Sequence, residues 1–190
     1  MNACGVPAAL LLARWWSRPT ASERELWCGL WADAGETAQA LGLDPGAVER
    51  LREAAERAEP EALLDEYERL LVGPGRAPCQ PYESLWRDDI PEHERALMGP
   101  PADEVQGVYR ELGVRLRGEA HELPDHLLVE WEAYAYALDQ DDVECAYALL
   151  DDHLALWMTP FCSALAAEAH EPFYSALAKL TPAWTAALRR

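Results

Sequence analysis

Apolar residues recur at helical spacing along nearly the whole of this chain of 190 residues, and that periodicity restricts it to helical folds. Leu63, Tyr67, Leu70 and Leu71 fall on one face of a helix, Val105, Val108, Tyr109 and Leu112 on another, and Leu127, Trp131, Tyr134 and Leu138 on a third. Val143, Ala146, Tyr147, Leu150, Leu154 and Trp157 predict a fourth inward stripe, and Phe173, Leu177, Leu180, Trp184 and Leu188 a fifth. Sustained alternation of β-branched residues is absent, so strands have little support. The expected fold class is all-α, a helical bundle forming a single domain over residues 1–190.

Glycine and proline divide the helices. Asp44-Pro45-Gly46 opens one with an acidic cap and a proline in its first turn, Glu59-Pro60 opens the next, and Gly73-Pro74-Gly75 closes it. Residues 73–101 differ from the rest: six prolines in 29 positions predict a long loop or short helical turns. Loops of that length inside a compact domain are usually functional or mobile. A second joint, within residues 113–125, precedes the C-terminal helices and is a candidate hinge, which leaves a monomer and a helix-exchanged dimer both open.

The net charge of -18 comes from 34 acids against 16 bases, of which only Lys179 is a lysine. Nucleic acid is a poor partner for such a chain, because phosphate binding needs a clustered basic surface. The acidic excess fits a solvated surface or a field that attracts cationic peptides. No apolar window reaches the length of a membrane helix. The short apolar run at residues 6–13 has no basic residue before it and Arg14-Trp15-Trp16 after it, unlike a secretory signal, so a cytoplasmic location is expected. Five scattered cysteines with no CxxC pair read as idle or buried thiols in a reducing compartment.

Residues 122–127, ELPDHL, gather two acids and an imidazole ahead of an apolar-periodic run. A metal-dependent hydrolase would use His121, Glu122 and His126, but these histidines are five apart with Pro124 between them, whereas HExxH places its pair four apart on one helix face. Asp125 can instead cap the following helix. Glu122 and His126 are then spare, and with Glu122, Asp125 and Glu130 around it His126 is expected to favour its charged form and to grip or release a ligand with protonation. The aromatic turn Pro81-Tyr82-Glu83-Ser84-Leu85-Trp86 has two readings as well. Its rings pin the loop to the core, or they cover an apolar peptide while Glu83 pairs with a basic side chain.

Three ordered segments, Glu66-Tyr67-Glu68-Arg69-Leu70-Leu71-Val72-Gly73-Pro74-Gly75, Pro81-Tyr82-Glu83-Ser84-Leu85-Trp86 and residues 122–127, together resemble the TorD/DmsD/NarJ family of redox-enzyme maturation chaperones. The closing helices, with His153-Leu154-Ala155-Leu156-Trp157, Phe173-Tyr174 and Leu177-Ala178-Lys179-Leu180, are similar too. Leu71 stands where that family has an aromatic residue. The resemblance implies a cytoplasmic, all-helical chaperone with no catalytic residues, no metal and no cofactor of its own. Its partner would be the N-terminal leader, often a twin-arginine signal, and the apo form of a molybdenum oxidoreductase catalytic subunit, held until molybdopterin is inserted. A rival within the family is a NarJ-like assembly factor for an enzyme that is not exported. A leader joins guanidinium groups to an apolar stretch, so Glu83, Glu122 and Asp125 are assigned to its basic part and Tyr67, Leu71, Tyr82 and Trp86 to its apolar part. Ser84, Pro124, His126 and Glu130 complete the expected peptide-binding set, with His126 orienting the loop or tuning release.

Overall fold

The computed structural model describes residues 4–73, 77–116 and 122–190. Among these described residues nine α-helices follow in order: α1 (Gly5–Trp16), α2 (Ala21–Ala40), α3 (Pro45–Arg57), α4 (Pro60–Tyr67), α5 (Pro100–Glu111), α6 (Leu127–Asp139), α7 (Val143–Tyr147), α8 (Ala155–Glu168) and α9 (Pro172–Leu188). A π-helical turn, Glu68–Val72, extends α4, and a longer one, Ala148–Leu154, joins α7 to α8. Among the described residues there is no strand, only an isolated antiparallel bridge between Tyr82 and His126. The all-α class read from the sequence is correct.

Local chemistry sets the helix ends. Asp44 accepts a hydrogen bond from Gly46 N at 2.9 Å, with Pro45 in the first turn of α3, and the Thr20 hydroxyl accepts from Glu23 N to start α2. Past the π turn, Gly73 adopts φ 80°, a left-handed conformation that glycine enters without steric cost. Pro74 and Gly75 lie outside the described residues, as do Gly118 and His121 and with them the centre of the proposed hinge. Residues 77–99 hold only two single-turn 3-10 helices, Glu83–Leu85 and Glu92–Glu94, as the proline density predicts.

Helix α1 is central, packed against α2, α6 and α9. Its Trp15 and Trp16 are wholly buried. Phe161 of α8 collects three indoles, Trp16 at 5.4 Å, Trp157 at 5.3 Å and Trp86 at 5.6 Å between ring centroids, so the proline-rich segment is fastened to the core through an aromatic cluster. Trp27 stacks on Phe173 at 4.9 Å, joining α2 to α9.

One apolar stripe differs from expectation. Val143 and Tyr147 are exposed; the residues facing inward are Cys145, Leu149, His153 and Trp157, with Ala146, Leu150, Leu154 and Met158 beside them. These two rows repeat every four residues, a spacing that an α-helix of 3.6 residues per turn would carry about 40° further round at each step. The wider π turn at residues 148–154 takes up that drift and keeps both rows facing the core.

Candidate functional site

The second and third of the quoted segments, residues 81–86 and 122–127, cross each other. Glu83 N donates to Asp125 O at 2.9 Å and Leu127 N donates to Pro81 O at 2.9 Å, so residues 81–83 and 125–127 lie antiparallel at the start of α6. Tyr109 OH of α5 donates to Pro124 O at 2.8 Å and closes the crossing from below, with Pro124 itself buried.

Under this crossing lies a network of acids. Glu83 is completely buried; one carboxylate oxygen meets His153 Nδ1 at 2.8 Å and the other accepts from Arg87 at 3.2 Å. Arg87 also reaches Asp89, Glu104 at 3.2 Å and the Asp152 carbonyl at 3.4 Å, which ties the aromatic turn to α5 and to the π turn after α7. Asp125, equally buried, accepts from Ser84 N at 3.0 Å and from the Ser84 hydroxyl. Glu130, one turn into α6 and wholly buried, accepts from Trp157 Nε1 at 3.0 Å. Burial pushes the Glu130 carboxyl well above its ordinary value of 4.5, and the charges of Glu83 and Asp125 push in the same direction. These influences all favour the neutral, protonated form of Glu130. As a carboxylate it would leave Oε1 without a donor among the described residues, whereas the protonated group can bond the neighbouring Glu83 carboxylate, which raises the pKa further.

These positions correct several expectations. Asp125 does not cap α6. That role belongs to His126, whose Nδ1 accepts from Leu128 N at 3.2 Å, while Asp125 turns back to hold Ser84. His126 is not biased toward its charged form: burial lowers its pKa, and Glu122 and Asp125 oppose this only in part. With Nδ1 accepting, the neutral ring carries its proton on Nε2, 3.5 Å from Glu122. Glu83, Asp125 and Glu130 point inward to internal partners, Tyr67 and Leu71 belong to the core, and Tyr82 and Trp86 are half-buried. Of the carboxylates assigned to peptide contact, only Glu122 reaches solvent, with 45% of its side chain exposed. Tyr82 OH donates to it at 3.4 Å, and the Tyr82 ring packs edge-on to His126 at 5.2 Å.

Truncating Asp125 to alanine would strand the buried Ser84 N–H and hydroxyl. A loss of about 2 kcal/mol is expected, measurable by denaturant unfolding, with Asp125→Asn losing less. A change below about 0.5 kcal/mol would mean that the Ser84 bonds contribute nothing in solution.

Other contributors were not among the residues assigned to the site from sequence. Glu66 holds Arg69 through paired bonds of 2.7 and 2.9 Å and accepts from His170 N and Glu171 N, clamping α4 to the α8–α9 turn. That pair lies in the first quoted segment and is visible as an i,i+3 acid and base; its long-range partners are not. His153 and Trp157 had no ligand-like spacing at all. Cys79, Cys145 and Cys162 are buried, with the Cys79 thiol pushed up to about 11, as expected of idle thiols. Among the described residues no group of three His, Cys, Asp or Glu side chains could hold a metal ion. The hydrolase alternative involves His121, which lies outside them.

A cleft of about 770 Å³ lined by Gln80, Leu85, Trp86, His93 and Arg95 adjoins the crossing; another, of about 750 Å³ between α3 and α9, includes Lys179 and Leu180 of the closing helix but no residue of 66–75, 81–86 or 122–127. Trp86, with Nε1 bonded to Gln80 O at 2.7 Å, forms a wall of the first.

A sequence profile for the nitrate reductase delta subunit family matches residues 41–163, more than half of the chain. The chain belongs to that family. Among curated members of the wider TorD/DmsD/NarJ grouping, the Tat proofreading chaperone DmsD of Salmonella typhimurium is 30% identical over 125 residues, covering 63% of this chain and 57% of DmsD. The match thus spans less than two thirds of DmsD. The chaperone protein TorD of Shewanella pealeana is 27% identical over 158 residues, covering 81% of this chain and 71% of TorD. In three dimensions the chain is similar to an Archaeoglobus fulgidus structure described as a redox enzyme maturation protein, with a TM-score of 0.56 at 18% identity, covering 100% of this chain and 96% of the other. That likeness supports the fold; the family resemblance drawn from the three segments is confirmed by the profile and the curated chaperones. No helix among the described residues is long and apolar enough to cross a membrane.

Proposed function

We propose that this chain is a cytoplasmic, system-specific chaperone without catalytic chemistry. It binds the N-terminal leader, often a twin-arginine signal, of a molybdenum oxidoreductase catalytic subunit and holds the apoenzyme until molybdopterin is inserted. The observation that carries this reading is Glu122, an exposed carboxylate fixed at the edge of the half-buried Tyr82 ring, where the two motif segments cross. A leader needs a receptor with a carboxylate for its guanidinium groups beside apolar surface for the residues that follow. The buried members of the expected set, Tyr67, Leu71, Glu83, Ser84, Pro124, Asp125, His126 and Glu130, act by holding Tyr82, Trp86 and Glu122 in place.

The test is calorimetric titration with twin-arginine leader peptides and with controls whose two arginines are alanine. The parent is expected to bind saturably and the controls more weakly. Glu122→Gln should weaken leader binding about three- to tenfold while leaving the melting temperature unchanged, since the side chain is exposed. Equal binding by parent and Glu122→Gln would remove this carboxylate from the account. The profile match to the nitrate reductase delta subunit favours a second reading, a NarJ-like assembly factor for an enzyme that is not exported. Failure to bind any twin-arginine leader would select it.

A further inference from the structure

Between positions 118 and 178 the chain has no lysine or arginine but carries 13 Asp and Glu residues. Within that stretch α6 and α7 form a hairpin closed by Asp142 N donating to Ala137 O at 2.9 Å. Its outward faces expose three large apolar side chains, Tyr136, Val143 and Tyr147, at 44%, 58% and 63%. The last two are those whose periodicity pointed to the core. Glu132, Asp139, Asp141 and Glu144 are exposed on the same hairpin, and among the described residues none of them has a salt-bridge partner.

Each feature is unfavourable in water. Large apolar side chains exposed on one hairpin stay wet, and like charges repel with no base in that stretch of sequence. Both are relieved together by one class of ligand, a segment whose apolar residues are flanked by lysine or arginine. A second copy of this chain, itself at -18, and nucleic acid are both repelled here. We propose that the α6–α7 hairpin is a docking surface for a basic, amphipathic helix of a partner protein, with Tyr136 and Tyr147 as anchors and the four carboxylates as the guiding rim. The surface is separate from Glu122: the nine residues from Leu127 to Tyr136 carry the chain about 14 Å along α6. It stands whether or not the leader reading holds.

The probe is a synthetic amphipathic Leu/Lys helical peptide, with a Leu/Glu counterpart as control, followed by fluorescence anisotropy and by hydrogen exchange across the full chain. Binding of the Leu/Lys peptide alone is expected, with protection centred on residues 132–147. The Tyr136→Ser, Tyr147→Ser double variant should bind about tenfold more weakly, and Glu132→Lys, Glu144→Lys should weaken binding and flatten its salt dependence. Both variants change exposed residues and should keep the parent melting temperature and leader affinity. Protection elsewhere on the chain, no binding, or unchanged affinity in both variants would overturn the proposal. So would a parent dimer in sedimentation that the tyrosine variant abolishes, since the hairpin would then be covered by a second copy.

Discussion

Replacing Glu83 by alanine is expected to cost about 3–5 kcal/mol, the usual result of removing one partner from a buried ionic pair. The carboxylate is inaccessible and meets His153 Nδ1 at 2.8 Å and Arg87 at 3.2 Å. Without it the buried imidazole loses this partner, while Arg87 keeps Asp89 and Glu104. For a chain of this size the loss corresponds to a fall of roughly 10 °C in melting temperature. Glu83→Gln, which keeps a hydrogen-bonding oxygen but not the charge, should lose less. Thermal and denaturant unfolding of both variants decide the point, and a loss below about 1 kcal/mol for alanine would show that the His153 contact is not maintained in solution. The variant should also bind leader more weakly at temperatures where it stays folded, because Glu83 anchors the turn that presents Tyr82.

That coupling explains why acids in the motif segments can matter to binding without touching a ligand. Glu83 joins the aromatic turn to the π turn after α7, Asp125 joins it to the start of α6, and Glu130 joins α6 to α8. Glu122 is the member left at the surface. Substitutions that unfold the crossing and substitutions that remove a contact would both lower affinity, and only the second kind leaves the melting temperature in place. Glu122→Gln is for this reason a cleaner probe of the site than any change at Asp125 or His126.

The helices were legible in the sequence because their period and caps are local properties. Asp44-Pro45, Gly73 and the proline run at residues 73–101 mark boundaries within one or two turns of chain, and the stripe from Phe173 to Leu188 is buried as its spacing indicates. The stripe through Val143 and Tyr147 failed because it assumed α-helical geometry across a π turn. Within the site, ELPDHL gave the start of α6 but not which residue caps it, since an acid and an imidazole in adjacent positions can each accept the free N–H. The charge state of His126 was misread for a physical reason. Sequence shows which charges are near, whereas the depth of burial, here the larger influence, depends on Tyr82 folding over the ring. Glu83 was matched to a foreign cation because its own partner, His153, is 70 residues away and has no spacing to announce it.

Glu130→Gln should make the protein more stable than the parent at neutral pH, by a margin that grows as the pH rises. Folded Glu130 keeps its proton above the ordinary 4.5 because burial and the charges of Glu83 and Asp125 oppose ionisation. The unfolded chain releases that proton near the ordinary value. The stability due to Glu130 is therefore complete below about pH 4.5 and declines as pH rises toward the folded value, by up to about 1.4 kcal/mol per pH unit. Glutamine has nearly the shape of the neutral acid, can accept from Trp157 Nε1 through its amide oxygen, and does not titrate. Parent and variant should coincide in acid and separate in denaturant unfolding between about pH 5 and 8. His126 acts in the opposite direction. Its lowered folded pKa leaves its contribution whole above the ordinary 6.5 and removes it as the pH falls and the ring is forced to charge, in parent and variant alike. Subtracting the two pH profiles cancels His126 and leaves the titration of Glu130 together with its effect on the neighbouring Glu83, whose carboxyl burial also pushes up, and a flat difference would mean that Glu130 ionises in the folded protein as it does in the unfolded chain.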